Sequence, residues 1–100
     1  MIPNYQQTML PLLQYAADQQ EHAIRDAYDY VASVFKVSTQ ERRELLPSGY
    51  EEVFNNRVRW GLFYLKKAGL LDSTRRSFFR ITEDGVNALE ESPRAMMSSF

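Results

Sequence analysis

Apolar positions recur at helical spacing along most of this 100-residue chain. Met9, Leu12, Leu13, Ala16 and Ala17 form the i, i+3, i+4, i+7, i+8 stripe of an amphipathic helix. Pro11 fits the first turn of that helix with Thr8 as N-cap, because first-turn amides have no intrahelical partner. Ile24, Ala27, Tyr28, Val31 and Phe35 make a second stripe, which predicts a helix from about His22 to Lys36. Ser38 precedes Glu41 by three residues, a capping-box spacing that opens a short helix through Leu45 and Leu46. Pro47-Ser48-Gly49 closes it with a tight turn. The longest helix is predicted from about Glu51 to Ala68. Glu51 and Glu52 fall in its first turn and Lys66 and Lys67 in its last, both suiting the helix dipole, and Gly69 suits a left-handed C-cap.

Strand spacing follows. Leu70-Leu71-Asp72 and Ser77-Phe78-Phe79-Arg80-Ile81 read as two short strands around the basic tip Ser73-Thr74-Arg75-Arg76. Thr82 caps a last helix, Glu83 to Glu91, with Val86 and Leu89 facing inward, and Pro93 stops it. Helices at about 39–46 and 51–68 across a four-residue turn, followed by a basic hairpin and a final helix, have the order of a winged helix-turn-helix. The expected class is therefore mainly α with a small β-hairpin, one winged-helix domain over residues 1–92. Residues 93–100 read as a linker or disordered C-terminal tail.

Projected at 100° per residue, the long helix turns Phe54, Val58, Gly61, Leu62, Leu65 and Ala68 toward the core. Trp60 and Tyr64 flank that stripe and are expected to pack at the core edge rather than stack on bases. Arg57 shares the flank, where an acid near Asp26 or Asp29 could pair with it. The opposite side carries Asn55, Asn56, Arg59, Phe63, Lys66 and Lys67. Asn and Arg are the side chains that read adenine and guanine edges bidentately. Lys66 and Lys67 suit phosphates, as do Arg75 and Arg76 at the wing tip, although the two lysines also serve the helix dipole. Phe63 interrupts this polar face, either touching thymine methyls or, as the preferred reading, meeting another subunit or domain.

Charge sharpens the picture that the totals blur. Twelve basic and thirteen acidic residues leave a net charge of −1. Residues 1–52 nevertheless hold only Arg25, Lys36, Arg42 and Arg43 against eight acids, whereas residues 53–82 hold Arg57, Arg59, Lys66, Lys67, Arg75, Arg76 and Arg80 against Asp72 alone. Association with a polyanion follows the local field, so this one segment outweighs the near-neutral sum.

Composition removes most chemistry. There is no cysteine and a single histidine, His22, read as a surface or capping residue at a helix start. Thiol nucleophiles, thiolate metal sites and Ser-His-Asp arrangements lose their parts. No Asp or Glu stands two residues before Lys36, Lys66 or Lys67, so the acid-x-Lys element of a magnesium-dependent nuclease is absent. Gly49, Gly61, Gly69 and Gly85 make neither a phosphate-cradling loop nor a dinucleotide fingerprint. Glu51-Glu52 and Glu90-Glu91 are adjacent pairs that diverge on a helix instead of converging on a substrate. No catalytic residue, metal site or cofactor is expected. The apolar runs are too short to span a membrane, and a secretory signal is lacking, so a cytoplasmic protein with no membrane partner is expected.

Several segments together resemble the N-terminal domain of Mrr-type restriction-system proteins. They are MIPNYQQTMLPLL, ERRELLPSG, FNNRVRWGLFYLKKAGLL and RRSFFRITEDG, spread over about residues 2–92. The third is the most specific, with its Asn-Arg-Val-x-Trp core and Leu-Lys-x-Ala-Gly-Leu end. The resemblance implies a winged helix that precedes a separate nuclease domain cutting modified DNA, and it groups Asn56, Arg57 and Trp60. It implies target recognition on double-stranded DNA, while cleavage is not carried over, since the chain lacks the catalytic half. The DNA-contacting set expected from both lines is Asn55, Asn56, Arg57, Arg59, Lys66, Lys67, Arg75, Arg76 and Arg80. The alternative is a winged-helix protein-interaction or homodimerisation module, favoured by the acidic first half and Phe63.

Overall fold

A computed structural model describes residues 1–91; the expected tail over 93–100 lies outside the described residues. In chain order the elements are α1 (Tyr5–Tyr15), a 3-10 turn (Ala16–Asp18), β1 (His22–Ala23), α2 (Ile24–Val34), α3 (Thr39–Arg42), α4 (Val53–Lys67), β2 (Leu71–Arg75), β3 (Phe78–Ile81) and α5 (Glu83–Glu91). The expected class holds: mainly α, with a small antiparallel sheet behind the long helix in the manner of a winged helix.

α1 begins earlier than Thr8 suggests. Asn4 is its N-cap, accepting from the Gln7 amide at 2.8 Å while the Gln7 side chain accepts from the Asn4 amide at 2.8 Å. This reciprocal box satisfies two amides that a helix start otherwise leaves open. Pro11 therefore lies inside the helix, and Thr8 is a buried residue whose hydroxyl donates to the Tyr5 carbonyl at 2.6 Å. Met9, Leu12, Leu13 and Ala16 are buried as expected; Ala17 is exposed, because the 3-10 turn rotates it out of the stripe.

α2 starts at Ile24 rather than His22. His22 and Ala23 instead pair with Phe79 and Phe78 as a short third strand, giving the sheet order β1-β3-β2. His22 is consequently not a surface residue: its ring packs on Tyr15 at 4.5 Å and its Nε2 lies 2.8 Å from Asp18 Oδ1. α3 opens with the expected Ser38–Glu41 capping box but ends at Arg42, not at Leu46. Leu46 precedes Pro47, which disfavours helical backbone there. Residues 43–52 fold back instead as a closed loop. The Leu46 amide donates to the Glu51 carbonyl at 2.8 Å, the Val53 amide donates to the Glu44 carbonyl at 2.9 Å, and Gly49 turns the chain at φ 78°. α4 thus starts at Val53, and Glu51 and Glu52 precede its first turn.

The hairpin is longer and its tip sharper than expected. β2 reaches Arg75, so the turn is Arg76-Ser77, with Ser77 at φ 66° and a bulge where Ser73 and Arg75 face Phe79 and Phe78. Thr82 caps α5 by accepting from the Gly85 amide at 3.0 Å. The core lies between α1, α2, α4 and the sheet, with Phe54, Val58, Leu62 and Leu65 of α4 meeting Met9, Leu12 and Leu13 of α1 and Leu71 and Phe79 of the hairpin. Ala68, expected inward, is the exposed C-cap of α4.

Candidate nucleic-acid interface

α4 carries most of the expected contact residues and presents them unequally. Phe54, Val58, Gly61, Leu62 and Leu65 anchor one side in the core, so the residues between them must face outward. Trp60 and Phe63 are each about half exposed, at 46% and 48%. Phe63 therefore lies on the exposed face, as the projection places it, but Trp60 does not pack at the core edge. Its ring meets Phe63 edge-on at 5.4 Å and Tyr64 at 5.9 Å. Tyr64 is the aromatic that fills the core edge, stacking on Tyr5 at 5.0 Å. The Lys67 ammonium lies 5.9 Å from the Phe63 ring centre.

A carboxylate organises the start of this face. The closed loop before α4 delivers Glu51 onto it, where Oε1 lies 2.6 Å from Arg59 Nη1 and Oε2 accepts from Asn56 Nδ2 at 3.2 Å. The Arg59 guanidinium also stands beside the Tyr28 hydroxyl of α2; burial raises the pKa of that hydroxyl, and the guanidinium works the other way. Asn55 donates to Glu52 at 3.0 Å. Arg57 does not meet Asp26 or Asp29; its Nη1 donates to the Pro3 carbonyl at 3.4 Å, and Asp29 is taken by Arg42 at 3.0 Å. Arg57 therefore ties the N-terminal segment to α4 while keeping donors to spare.

Two clefts meet at Trp60. One, of about 340 Å³, is lined by Glu51, Asn56, Arg59, Trp60 and Phe63. The other, of about 310 Å³, is lined by Tyr5, Asn56, Arg57, Trp60 and Tyr64. Asn56, Arg59 and Phe63 are thus brought together, and so are Asn56, Arg57 and Trp60, whereas the hairpin arginines line neither cleft.

Those arginines are arranged around the wing. Arg75 lies over the Phe78 ring at 3.8 Å and pairs with Glu21 at 3.1 Å. Glu21 is held below the usual carboxylate range first by the Thr74 hydroxyl and then by Arg75. Arg80 donates to the Gln19 carbonyl at 2.8 Å, which fixes it against the end of the 3-10 turn. Arg76 is exposed at the tip. Glu51, read from the sequence as a first-turn residue of the long helix, Tyr28, read as part of the α2 stripe, and Glu21 are not expected from the sequence as partners of these cations. Each belongs to an element outside the long helix, and helical periodicity carries no information across such a gap.

Among the described residues no group of three or more His, Cys, Asp or Glu side chains could hold a metal ion, and no helix is long and apolar enough to cross a membrane. Fold and site together define a winged-helix-like module with an aromatic and cationic outer face on its long helix. Residues 5–91 match the family model described as the Mrr N-terminal domain, and the chain belongs to that family. It is 30% identical over 96 residues to the type IV methyl-directed restriction enzyme EcoKMrr of Escherichia coli (strain K12), an alignment covering 95% of this chain and 31% of that enzyme. The chain thus spans less than a third of the length of the curated relative it matches. No solved structure matches it.

Proposed function

We propose that this chain is the DNA-binding, target-recognition module of a restriction system, engaging double-stranded, methyl-modified DNA without catalytic activity of its own. α4 enters the major groove and the β2–β3 wing rests on the neighbouring backbone. The observation that carries this reading is the outer face of α4, where Asn56, Arg59 and Phe63 share one open cleft in a segment dominated by cations. The methyl-directed character of the enzyme it resembles adds modification to the expected target. Cleavage falls to a nuclease domain of a longer protein, and the working compartment is the cytoplasm.

Phosphate contacts are assigned to Lys66, Lys67, Arg75, Arg76 and Arg80, with Arg57 reaching outward from its tie to Pro3. If about four to six such contacts form, log K falls with log salt at a slope of about −4 to −5. Fluorescence anisotropy on a labelled duplex from about 50 to about 200 mM salt measures it. Salt-insensitive binding, or none at the lowest salt, overturns the reading. A second reading, as a protein-interaction or homodimerisation module, draws on the half-exposed Trp60–Phe63 pair. On that reading Phe63→Ala changes the sedimentation coefficient and Arg59→Ala does not.

A further inference from the structure

Arg57, Trp60, Tyr64 and Lys67 recur at i, i+3, i+7 and i+10, which puts them on one flank of α4, beside the face that carries Arg59 and Phe63. α1 supplies the other wall of a groove along that flank, where Tyr5 stacks on Tyr64 at 5.0 Å. Two clefts of about 310 and 300 Å³ share Tyr5 and Tyr64 and so run into one another; the first reaches Asn56, Arg57 and Trp60, the second Lys67. Aromatic rings line this groove, with a guanidinium at one end and an ammonium at the other, about 15 Å apart along the helix. We propose that the groove binds a short run of unpaired nucleotides, single-stranded DNA whose bases stack on Trp60 and the tyrosines while Arg57 and Lys67 hold its phosphates. This site takes a different form of DNA from the duplex face, and it can fail while duplex binding stands.

Apolar surface left open on a small module marks a contact site, and Trp60 leaves 46% of its surface open here. A base that stacks on an aromatic ring must offer its π-face, which a duplex hides between neighbouring pairs and a single strand presents. Rings interleaved with cations therefore suit a single strand, the rings taking bases and the cations the backbone. Charge decides between this strand and a neutral peptide, which aromatic grooves also take. Among the described residues that line the groove there is no carboxylate, whereas the neighbouring cleft on the outer face holds Glu51 against Arg59. Arg57 commits one donor to the Pro3 carbonyl at 3.4 Å and keeps others for a phosphate. The exposed Lys67 ammonium lies 5.9 Å from the Phe63 ring centre, a contact that uses none of its hydrogen-bond donors. A second copy of this flank, laid on it across a two-fold axis, would set the cationic ends against each other.

The test uses the whole chain and three ligands of equal length: oligothymidylate, the same strand with abasic sites in place of its bases, and a duplex. The abasic strand keeps the charge of oligothymidylate without a base to stack. Oligothymidylate is expected to bind about tenfold more tightly than the abasic strand, the worth of one base stacked on an aromatic ring, and to quench Trp60, the only tryptophan. Trp60→Ala is expected to bring that ratio below about twofold and to weaken oligothymidylate at least about fivefold more than duplex, while Trp60→Phe keeps most of the ratio. Circular dichroism melts check that both variants fold, and quenching in the unsubstituted protein tests the groove without any variant. Equal affinity for the two single strands, emission unmoved by oligothymidylate, a ratio that survives Trp60→Ala, or an equal loss for single strand and duplex overturns the groove while the duplex reading stands. A sedimentation coefficient that rises with concentration, and does not in Trp60→Ala, overturns it as well by giving the flank to a second copy. Single-strand binding with no duplex binding at low salt upholds the groove and overturns the proposed function; binding to neither overturns both.

Discussion

Gly61 sits where α1 and α4 cross, and the missing side chain is what lets them touch. A Cβ there would overlap the Thr8 hydroxyl and lie 3.2 Å from both Leu12 Cδ1 and the Tyr5 carbonyl. Gly61→Ala is expected to destabilise by about 1–3 kcal/mol, read by urea unfolding. Adding Thr8→Ala should recover part of that loss, because the nearest obstacle is the Thr8 hydroxyl, and two touching sites are not additive. Trp60 invites the opposite expectation. Full burial would make Trp60→Ala cost about 3–5 kcal/mol, but with the ring 46% exposed the loss should be nearer about 1–2 kcal/mol. Helical projection assigned Phe54, Val58, Gly61, Leu62 and Leu65 to the core correctly, since their spacing alone fixes the face. Trp60 escaped it because Tyr64, at the next turn, occupies the core edge by stacking on Tyr5. Arg57 escaped because its partner, Pro3, is a backbone carbonyl that no residue pattern records.

Helix ends illustrate how local chemistry sets element boundaries. α4 and α2 finish in the same way. In α4 the Gly69 and Leu70 amides donate to the Lys66 and Leu65 carbonyls at 3.0 and 2.9 Å; in α2 the Lys36 and Val37 amides donate to Ser33 and Ala32 at 3.3 and 2.9 Å. Both are Schellman caps, which place the residue after the C-cap in the left-handed region. Gly69 adopts φ 79° freely, whereas Lys36 carries a Cβ at φ 52°. Lys36→Gly is therefore expected to stabilise the fold by about 0.5–1 kcal/mol, a rise in melting temperature that calorimetry would measure. The Gly69 cap, the Ser38–Glu41 box and the Thr82 cap were legible because each is a short-range residue pattern with one dominant geometry. The closed loop over 43–52 was not, since it depends on amide–carbonyl pairs between Glu44 or Leu46 and residues five to nine positions on. β1 was hidden for a related reason: two residues become a strand only because Phe78 and Phe79 are beside them. That loop is also what delivers Glu51 to Arg59, so the least legible element sets the geometry of the candidate site.

At the scale of the whole molecule, the acidic first half and the basic segment after it do not stay apart. Glu51 meets Arg59 and Glu21 meets Arg75, so folding brings acids of residues 1–52 onto cations of 53–82. Several carboxylates are held in the charged form. Glu41 is lowered to about 2, first by the Met1 ammonium at 2.8 Å and then by the Ser38 amide; Asp18 is lowered first by the Gln20 amide and then by His22. A carboxylate whose pKa is depressed on folding stabilises above its unfolded value and loses that contribution as pH falls through the folded one. The melting temperature should thus stay level above about pH 5 and fall toward about pH 2, and Glu41→Gln should shallow that descent. The Glu21–Arg75 pair bears on the proposed wing contact. Both side chains are substantially exposed, so the pair contributes little to stability; on the DNA-binding reading, its carboxylate stands where a phosphate would approach the wing. On the DNA-binding reading, Glu21→Gln should strengthen duplex binding about two- to fivefold at low salt, equally for methylated and unmodified DNA, because the wing meets backbone rather than bases. The gain should shrink as salt rises, since screening weakens the repulsion being removed. Anisotropy titrations of both duplexes at two salt concentrations decide it: unchanged affinity at low salt would take Arg75 off the backbone contact, and a gain confined to methylated duplex would place the wing on the bases.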